Sequence, residues 1–450
     1  MTTALQPFGF DTESFEAFLA QRAEPEWLQA MRRQAWDAYC KLGWPTRDHE
    51  EWIRTDIRTF RVENFRPPVQ PPLESAAPAG LLTHGVELGG SCVSINSHST
   101  ANVLDPQLAA KGVLFGALPE LLVENANRLR PFLERQIVVP GYDKFAALTA
   151  AFWIGGQLLY VPRGVRVELP LHSLVTLTAD GVDLQKTLVI LEEGAEATML
   201  SETASLSQDT DRGSAAGTPP AETRGLHVGI TEILQGAGSR LRYVNLQNWG
   251  TGVWHFAHQK ARLERDAGLQ WTLAALGGKT AKVNQQVELA GKRSECQVNG
   301  VMFTEGRQHF SYHTLQHHQA PETRSDFLYK SALQDKSRTV WRGMIKVDPI
   351  AQKTDGYQRN DNLLLSDTSR ADSIPGLEIE ADDVRCTHGS TSGNVEEELI
   401  FYACSRGLTR REAVRLIVTG FFQQVLDRIT IPSVRDALVS AIAQRVREYR

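Results

Sequence analysis

The sequence predicts a mainly β protein whose central β region is flanked by helical segments at both ends. Apolar residues alternate with polar ones over most of the middle of the chain, whereas near both termini they recur every three or four residues. A proline-rich stretch separates the first helical segment from the β region. We therefore assign an N-terminal helical domain, a linker, a β core and a C-terminal helical domain to residues 1–65, 66–80, 81–393 and 394–450.

Composition and charge exclude several classes of protein. Hydrophobic residues make up 42% and charged residues 22% of the 450 residues, which is typical of a folded globular chain. The 48 Lys and Arg residues against 53 Asp and Glu residues give a net charge of −5 without a basic block, so we expect no nucleic-acid partner. The longest uncharged run, residues 145–162, contains Thr149 and Gln157 and is not a membrane span. The N-terminal residues lack a secretory pattern, and we expect a cytoplasmic protein.

The N-terminal domain is predicted to contain two helices. The first covers EWLQAMRRQAWDAYCKLGWP, where Pro25 precedes the first turn and Gly43 and Pro45 end the helix. The second is predicted from about Arg47 to Phe60. The linker that follows holds five prolines in fifteen residues, too many for a helix or a central strand.

The β core shows turn signals at irregular intervals, namely at Gly194, Gly238, Gly268 and Gly291. A polar segment rich in Gly and Pro, residues 206–223, lengthens the first interval and is interpreted as a flexible insertion. Without it, each interval is long enough for one coil of a stacked β-solenoid. A β-sandwich with long loops fits the same pattern nearly as well, so the residues alone leave both folds open.

The C-terminal domain starts with a capping box, Thr409 to Glu412, ahead of the apolar run Ala413, Leu416, Ile417, Phe421, Val425 and Ile429. Val414, Val418 and Phe422 lie outside this stripe, so the helix carries more apolar residues than one face needs. The helix either packs on the core or also binds a partner. For partner contact the candidates are Leu416, Val418, Phe421, Phe422 and Val425.

Two motifs are interpreted as structural. LGGKT, residues 276–280, lacks the first glycine of a phosphate-binding loop and precedes a strand pattern, so we reject nucleotide binding there. The stretch RQHFSYHTLQHH is predicted to be a strand, on which His309 and His317 would lie ~26 Å apart and could not share one metal ion. We expect structural or stacking roles for these histidines, with a ligand role for one of them left open. The following Glu396, Glu397 and Glu398 are interpreted as the acidic first turn of a helix that reaches Cys404.

Cys386 and His388 form the most informative pair. They lie two residues apart on a predicted strand that Gly389 ends, so both side chains point the same way with Cα atoms ~6.6 Å apart. A thiolate and an imidazole suit iron or zinc, but a tetrahedral site needs four ligands. The other ligands must come from elsewhere in the chain, from a second subunit or from sulfide. A buried cysteine beside a hydrogen-bonded histidine is the alternative interpretation.

At these residues the sequence resembles the SufB/SufD family of SUF iron-sulfur cluster assembly scaffolds. The resemblance is carried by residues 317–367 and by PGLEIEADDVRCTHGSTSG, residues 375–393, with supporting matches at residues 45–57, 143–153 and 159–165. It covers most of the chain. The DDVRCTHG form looks like the SufD branch.

The resemblance implies a right-handed parallel β-helix core between helical terminal domains. It implies a non-catalytic scaffold that pairs with a SufB-like paralogue through the end of the β-helix and binds the ATPase SufC through the C-terminal helices, with ATP hydrolysis on SufC. It also places Cys386 and His388 at the subunit interface as candidates for holding iron or a transient iron-sulfur cluster. Whether a flavin binds, and what Cys296 does, stay open. The rival interpretations are a purely architectural subunit and a β-helical polysaccharide-active enzyme.

Overall fold

The computed structural model describes residues 9–71, 77–206 and 224–446, and it shows a parallel β-solenoid with helices at both ends. Its helices are α1 Thr12–Ala20, α2 Glu26–Lys41, α3 Pro106–Ala110, α4 Leu118–Leu133, α5 Lys144–Phe152, α6 Glu397–Ser405, α7 Arg410–Leu426 and α8 Pro432–Arg445, with a 3-10 turn at Val62–Asn64. Apart from Leu206, the predicted flexible insertion lies outside the described residues.

The odd-numbered strands other than β3, together with β2, form a ten-stranded sheet. Its members are β1 Gly90–Ile95, β2 His98–Leu104, β5 Leu171–Leu177, β7 Glu196–Ser205, β9 Arg240–Asn248, β11 Gly268–Ala275, β13 Glu295–Thr304, β15 Arg324–Leu333, β17 Thr354–Leu364 and β19 Val384–Asn394. All neighbours in this sheet are parallel except β1 and β2, which pair antiparallel.

The remaining strands form a nine-stranded sheet. They are β3 Leu114–Ala117, β4 Gln157–Val161, β6 Gly181–Leu191, β8 Arg224–Gln235, β10 Gly252–Leu263, β12 Thr280–Leu289, β14 His309–His318, β16 Arg338–Val347 and β18 Arg370–Ile379. From β4 onward, successive strands alternate between the two sheets, so each pair of strands forms one coil and hydrogen-bonds to the next coil. The prediction of a mainly β chain is confirmed, and the solenoid rather than the sandwich is its architecture.

The solenoid interior holds the main core. Large side chains from both sheets meet there without exposure, among them Trp271, Tyr312, Phe327 and Trp341. A second core lies between the outer face of the ten-stranded sheet and helices α6 to α8. The N-terminal helices pack instead on α5 and the nine-stranded sheet. The two ends of the chain therefore cover opposite faces of the solenoid.

The predicted second helix, Arg47 to Phe60, is wrong. The chain forms a series of turns there. Side chains compete for the backbone, since Thr46 N donates to His49 and Arg58 N donates to the Asp56 carboxylate. Trp52 and Phe60 anchor the turns on the aromatic rings of Phe145 and Phe256.

Helices α3 to α5 lie within the range that was predicted to be mostly strand. The spacing of their apolar residues did not predict them. Helix α5 shows why, because seven of its nine residues are buried and it has no polar stripe to reveal a helical period. The sequence does contain one signal for the start of α5. Its N-cap residue, Asp143, accepts hydrogen bonds from Phe145 N and Ala146 N. Among the described residues, no helix has both the length and the apolar character that crossing a membrane requires.

Candidate functional site

Strand β19 is the last strand of the ten-stranded sheet and carries both Cys386 and His388. It pairs with β17 on one side only. Val395 N donates to Leu364 O on β17. In a parallel ladder the backbone groups of successive residues point alternately to the two sides of the strand. Those of residues 386, 388, 390 and 392 therefore point away from β17, toward the free edge. The predicted pair thus lies on an unpaired edge at the open end of the solenoid.

Cys386 is half-buried and closes the end of the solenoid core. Its row across the sheet runs through Gly356, Ser325 and Cys296, of which Ser325 and Cys296 are buried. It packs beside Ile345, which is fully buried. The side chain of Cys386 therefore lies on the same face of the sheet as Ser325 and Cys296, which is the inner face of the solenoid.

Burial raises the pKa of the Cys386 thiol, and the nearby Asp355 carboxylate adds to this effect, while a hydrogen bond with the Gly356 backbone opposes it. The thiol form therefore dominates at neutral pH. A metal must displace a proton to bind there. A conformational change that exposes the Cys386 thiol to solvent would lower the free-energy cost of removing its proton.

His388 lies on the same face two residues later and is exposed. It stands opposite Gln358, which is buried and donates to the backbone carbonyl of Gly376. Within the described residues, the imidazole of His388 makes no hydrogen bond to another side chain or to the backbone. Its ring nitrogens are free to bind a ligand from solution or from a partner.

The described residues hold no group of three or more His, Cys, Asp and Glu side chains arranged to bind one metal ion. The histidine-rich stretch is strand β14, as predicted. His317 bonds Asp348, and His318 bonds both Thr323 and Ser325. Burial is the main cause that lowers the pKa of His309 to about 4 and that of His318 to about 3.

Helix α7 begins with the predicted capping box, in which Thr409 and Glu412 exchange hydrogen bonds. Val418 and Phe422, which lie outside the apolar stripe, are both 0% exposed, so this part of α7 packs on the core. Val425 is also fully buried. The ten-stranded sheet and helices α6 and α8 all pack on α7, so they bury a wider face than a single apolar stripe.

Leu416 stays 60% exposed, and Phe421 is half-buried against the second core. Two further exposed apolar side chains on α6, Phe401 at 76% and Tyr402 at 59%, were not among the predicted contact residues. The sequence contains a signal for them. Residues 399–403 are five consecutive apolar residues, more than one helix face can bury.

Comparison with known proteins identifies two matching family regions. Residues 175–421 match the SUF system FeS cluster assembly SufBD core domain, and residues 13–172 match the SufBD protein N-terminal region. The boundary between them falls at the first strands of the solenoid. The core-domain match contains Cys386, His388 and the part of α7 up to residue 421.

Several curated proteins are similar over much of the chain. The chain is 25% identical over 434 residues to the iron-sulfur cluster assembly protein SufB of Bacillus subtilis, covering 92% of this chain and 88% of that protein. It is 28% identical over 341 residues to an iron-sulfur cluster assembly SufBD family protein of Staphylococcus epidermidis, covering 75% and 70%. A SufBD family protein of Mycobacterium leprae is 35% identical over 226 residues, covering 48% and 58%.

Proposed function

The chain belongs to the SufBD family of the SUF iron-sulfur cluster assembly system, and from this premise we propose that it is the SufD-like subunit of a complex with a SufB-like paralogue and the ATPase SufC. In this complex it helps to acquire iron and holds a nascent cluster at the interface with the paralogue. It binds its cargo and does not turn over a substrate, and ATP hydrolysis belongs to SufC. The DDVRCTHG form of residues 382–389 supports the SufD-like branch.

The observation that carries the proposal is the placement of Cys386 and His388 on the free edge of β19. Their donor atoms suit iron, since a thiolate and an imidazole are both established iron ligands. Two donors do not complete a four-coordinate site. We propose that the paralogue or sulfide supplies the others, which makes the site dependent on assembly.

The two terminal strands differ in their capacity to pair with a partner. Strand β18 contains Pro375, which has no N–H, so its free edge lacks one hydrogen-bond donor. Strand β19 contains no proline over Val384–Asn394 and offers a continuous free edge. This asymmetry supports β19 as the strand that meets the paralogue, and it brings the interface to the metal-binding candidates.

The exposed apolar residues of α6 and α7 support a docking surface for the ATPase. Leu399, Phe401, Tyr402 and Leu416 are 49%, 76%, 59% and 60% exposed, and we call them the α6–α7 patch. Exposed large apolar side chains on two packed helices support a protein–protein contact there. Of the residues predicted for partner contact, Leu416 remains a candidate and Phe421 is half-buried against the second core. Val418, Phe422 and Val425 are 0% exposed, so we do not propose them for this contact.

The proposal is tested by purifying the tagged chain co-expressed with a SufB-like paralogue and SufC. We expect all three chains to co-purify with iron and sulfide. Ser390→Pro removes a backbone N–H from the free edge of β19 and should release the paralogue while SufC stays bound. Ser390→Ala keeps that N–H and is the matched control. Retention of the paralogue by Ser390→Pro would contradict pairing through β19.

A further inference from the structure

We propose that Lys330, Asp361 and Thr391 form a mechanical link between helix α7 and strand β19, through which a movement of α7 repositions Cys386 and His388. Asp361 is the central positioning residue of this link. The inference rests on the proposed function, because it gives a route by which an ATPase docked on the C-terminal helices affects the metal-binding candidates.

The three residues form one row across the last three strands of the ten-stranded sheet. Lys330 on β15 lies opposite Asp361 on β17, and Asp361 lies opposite Thr391 on β19. Lys330 Nζ is 3.5 Å from Asp361 Oδ2. Thr391 Oγ1 donates to Asp361 Oδ1 at 2.7 Å. Asp361 therefore bonds both neighbouring strands, one through each carboxylate oxygen.

Lys330 also holds helix α7. Its Nζ donates to the backbone carbonyl of Phe421 at 3.0 Å and lies 4.8 Å from the centre of the Phe421 ring. An unbroken series of polar contacts thus leads from the backbone of α7 to the side chain of Thr391. Phe421 lies on α7, five residues after Leu416 of the α6–α7 patch, so the series starts on a helix where a partner is proposed to dock.

Because these charged groups are buried, the contacts between them resist separation. The side chain of Asp361 is 4% exposed and that of Lys330 is 10% exposed. Separating buried opposite charges leaves each of them uncompensated, which is strongly unfavourable. Arg359 Nε also donates to Asp361, at 2.9 Å. Because the Lys330–Asp361 ion pair resists separation, a displacement of Lys330 with α7 moves Asp361 and Thr391 with it.

Strand β19 is the element able to respond. It hydrogen-bonds to one neighbouring strand, β17, and it also contacts β18 and the side chain of Ile345. Asn362 Nδ2 adds bonds to Thr391 O and Ser392 Oγ at 3.3 and 3.2 Å. His388 lies three residues before Thr391, ~10 Å along the strand. A shift at Thr391 is therefore transmitted directly along the backbone to the candidate ligands.

The test uses the full chain in complex with the paralogue and the ATPase, and measures the rate at which a maleimide labels Cys386, resolved by peptide mass spectrometry. In the unmodified complex we expect ATP to raise this rate several-fold. Thr391→Ser keeps the hydroxyl and should keep the response. Thr391→Val and Asp361→Asn should abolish the response while both partners still co-purify.

Lys346 and Glu378 form an ion pair on neighbouring strands of the other sheet and provide a control of the same type. Lys346→Met should leave the ATP response intact. An ATP response that persists in both Thr391→Val and Asp361→Asn would overturn the link.

A second arm uses the chain alone and does not depend on the proposed function. Lys330→Met and Thr391→Val are combined in a double-mutant cycle with the labelling rate of Cys386 as readout. Non-additive effects support the link, and additive effects overturn it. If the cycle is non-additive but ATP has no effect on the unmodified complex, the link stands and the proposed coupling to the ATPase fails.

Discussion

Gly356 lies directly opposite Cys386 on the last strand pair, and a β-carbon at position 356 would lie 3.2 Å from the Cys386 sulfur. The same β-carbon would lie 3.2 Å from Ile345 Cγ2. Because Ile345 is fully buried and β19 is a free edge, Cys386 is the neighbour that is able to move. The absence of a side chain at position 356 thus fixes how deeply the thiol sits.

Gly356→Ala should push Cys386 toward solvent. We expect faster maleimide labelling of Cys386, lower cluster content in the assembled complex and little loss of stability, because the displaced strand lies at the edge. Peptide-resolved labelling and iron analysis measure these effects. Gly393→Ala on the same strand, where a β-carbon meets no atom within 4 Å, is the control. Equal labelling rates in the two variants would show that Gly356 does not position the thiol.

Phe401→Glu should weaken binding of the ATPase at the α6–α7 patch, because an exposed aromatic at the centre of an interface often contributes more than 2 kcal/mol. Titration calorimetry or co-purification measures the loss. Val123→Glu is the control, since Val123 is 78% exposed but lies on α4. Unchanged affinity in Phe401→Glu would exclude the patch as the docking surface.

Phe422→Ala should destabilise the chain by about 3–5 kcal/mol, because it removes a fully buried ring from the second core. Leu416→Ala, on the same helix but 60% exposed, should change stability by less than about 0.5 kcal/mol. Urea unfolding of both variants provides the comparison. Similar losses would mean that α7 packs in another orientation.

Stability should fall as the pH drops from 6.5 toward 4. Burial, with Arg338 and Lys282 nearby, lowers the pKa of His309 from 6.5 to about 4. The unfolded chain therefore takes up a proton first, and the folded state loses stability through this range. The difference amounts to about 3 kcal/mol for His309. His309→Gln should make the fall in unfolding free energy between pH 7 and 4 shallower, with the contribution of His318 remaining, whereas a profile parallel to that of the unmodified chain would refute this assignment.

Much of the fold follows from local patterns. Alternation predicts the strands, and the Thr409 capping box predicts the start of α7, because both depend on neighbouring residues. The turns at residues 47–60 and helix α5 were not predicted, because aromatic and apolar contacts with distant strands decide their conformation. The spacing of Cys386 and His388 identifies them as a candidate pair, whereas the depth of Cys386 depends on Gly356, thirty residues earlier.

Contacts with distant parts of the chain also explain why several α7 residues predicted for partner contact are buried. An apolar stripe identifies a single buried face, but α7 has neighbours on more than one side. Val418 and Phe422 are therefore buried although they lie outside the predicted stripe. The link through Lys330 and Asp361 had no local signature, since its residues come from separate strands and meet only through the register of the sheet.

The most direct test of the shared metal site is anaerobic reconstitution of the chain alone and of its complex with the SufB-like paralogue and SufC. Iron, sulfide and visible absorption are measured for the unmodified chain and for Cys386→Ala and His388→Ala. We expect a cluster only in the complex, with reduced content in both variants while the complex stays intact. Equal cluster content with and without these two side chains would contradict the account and leave the chain as an architectural subunit.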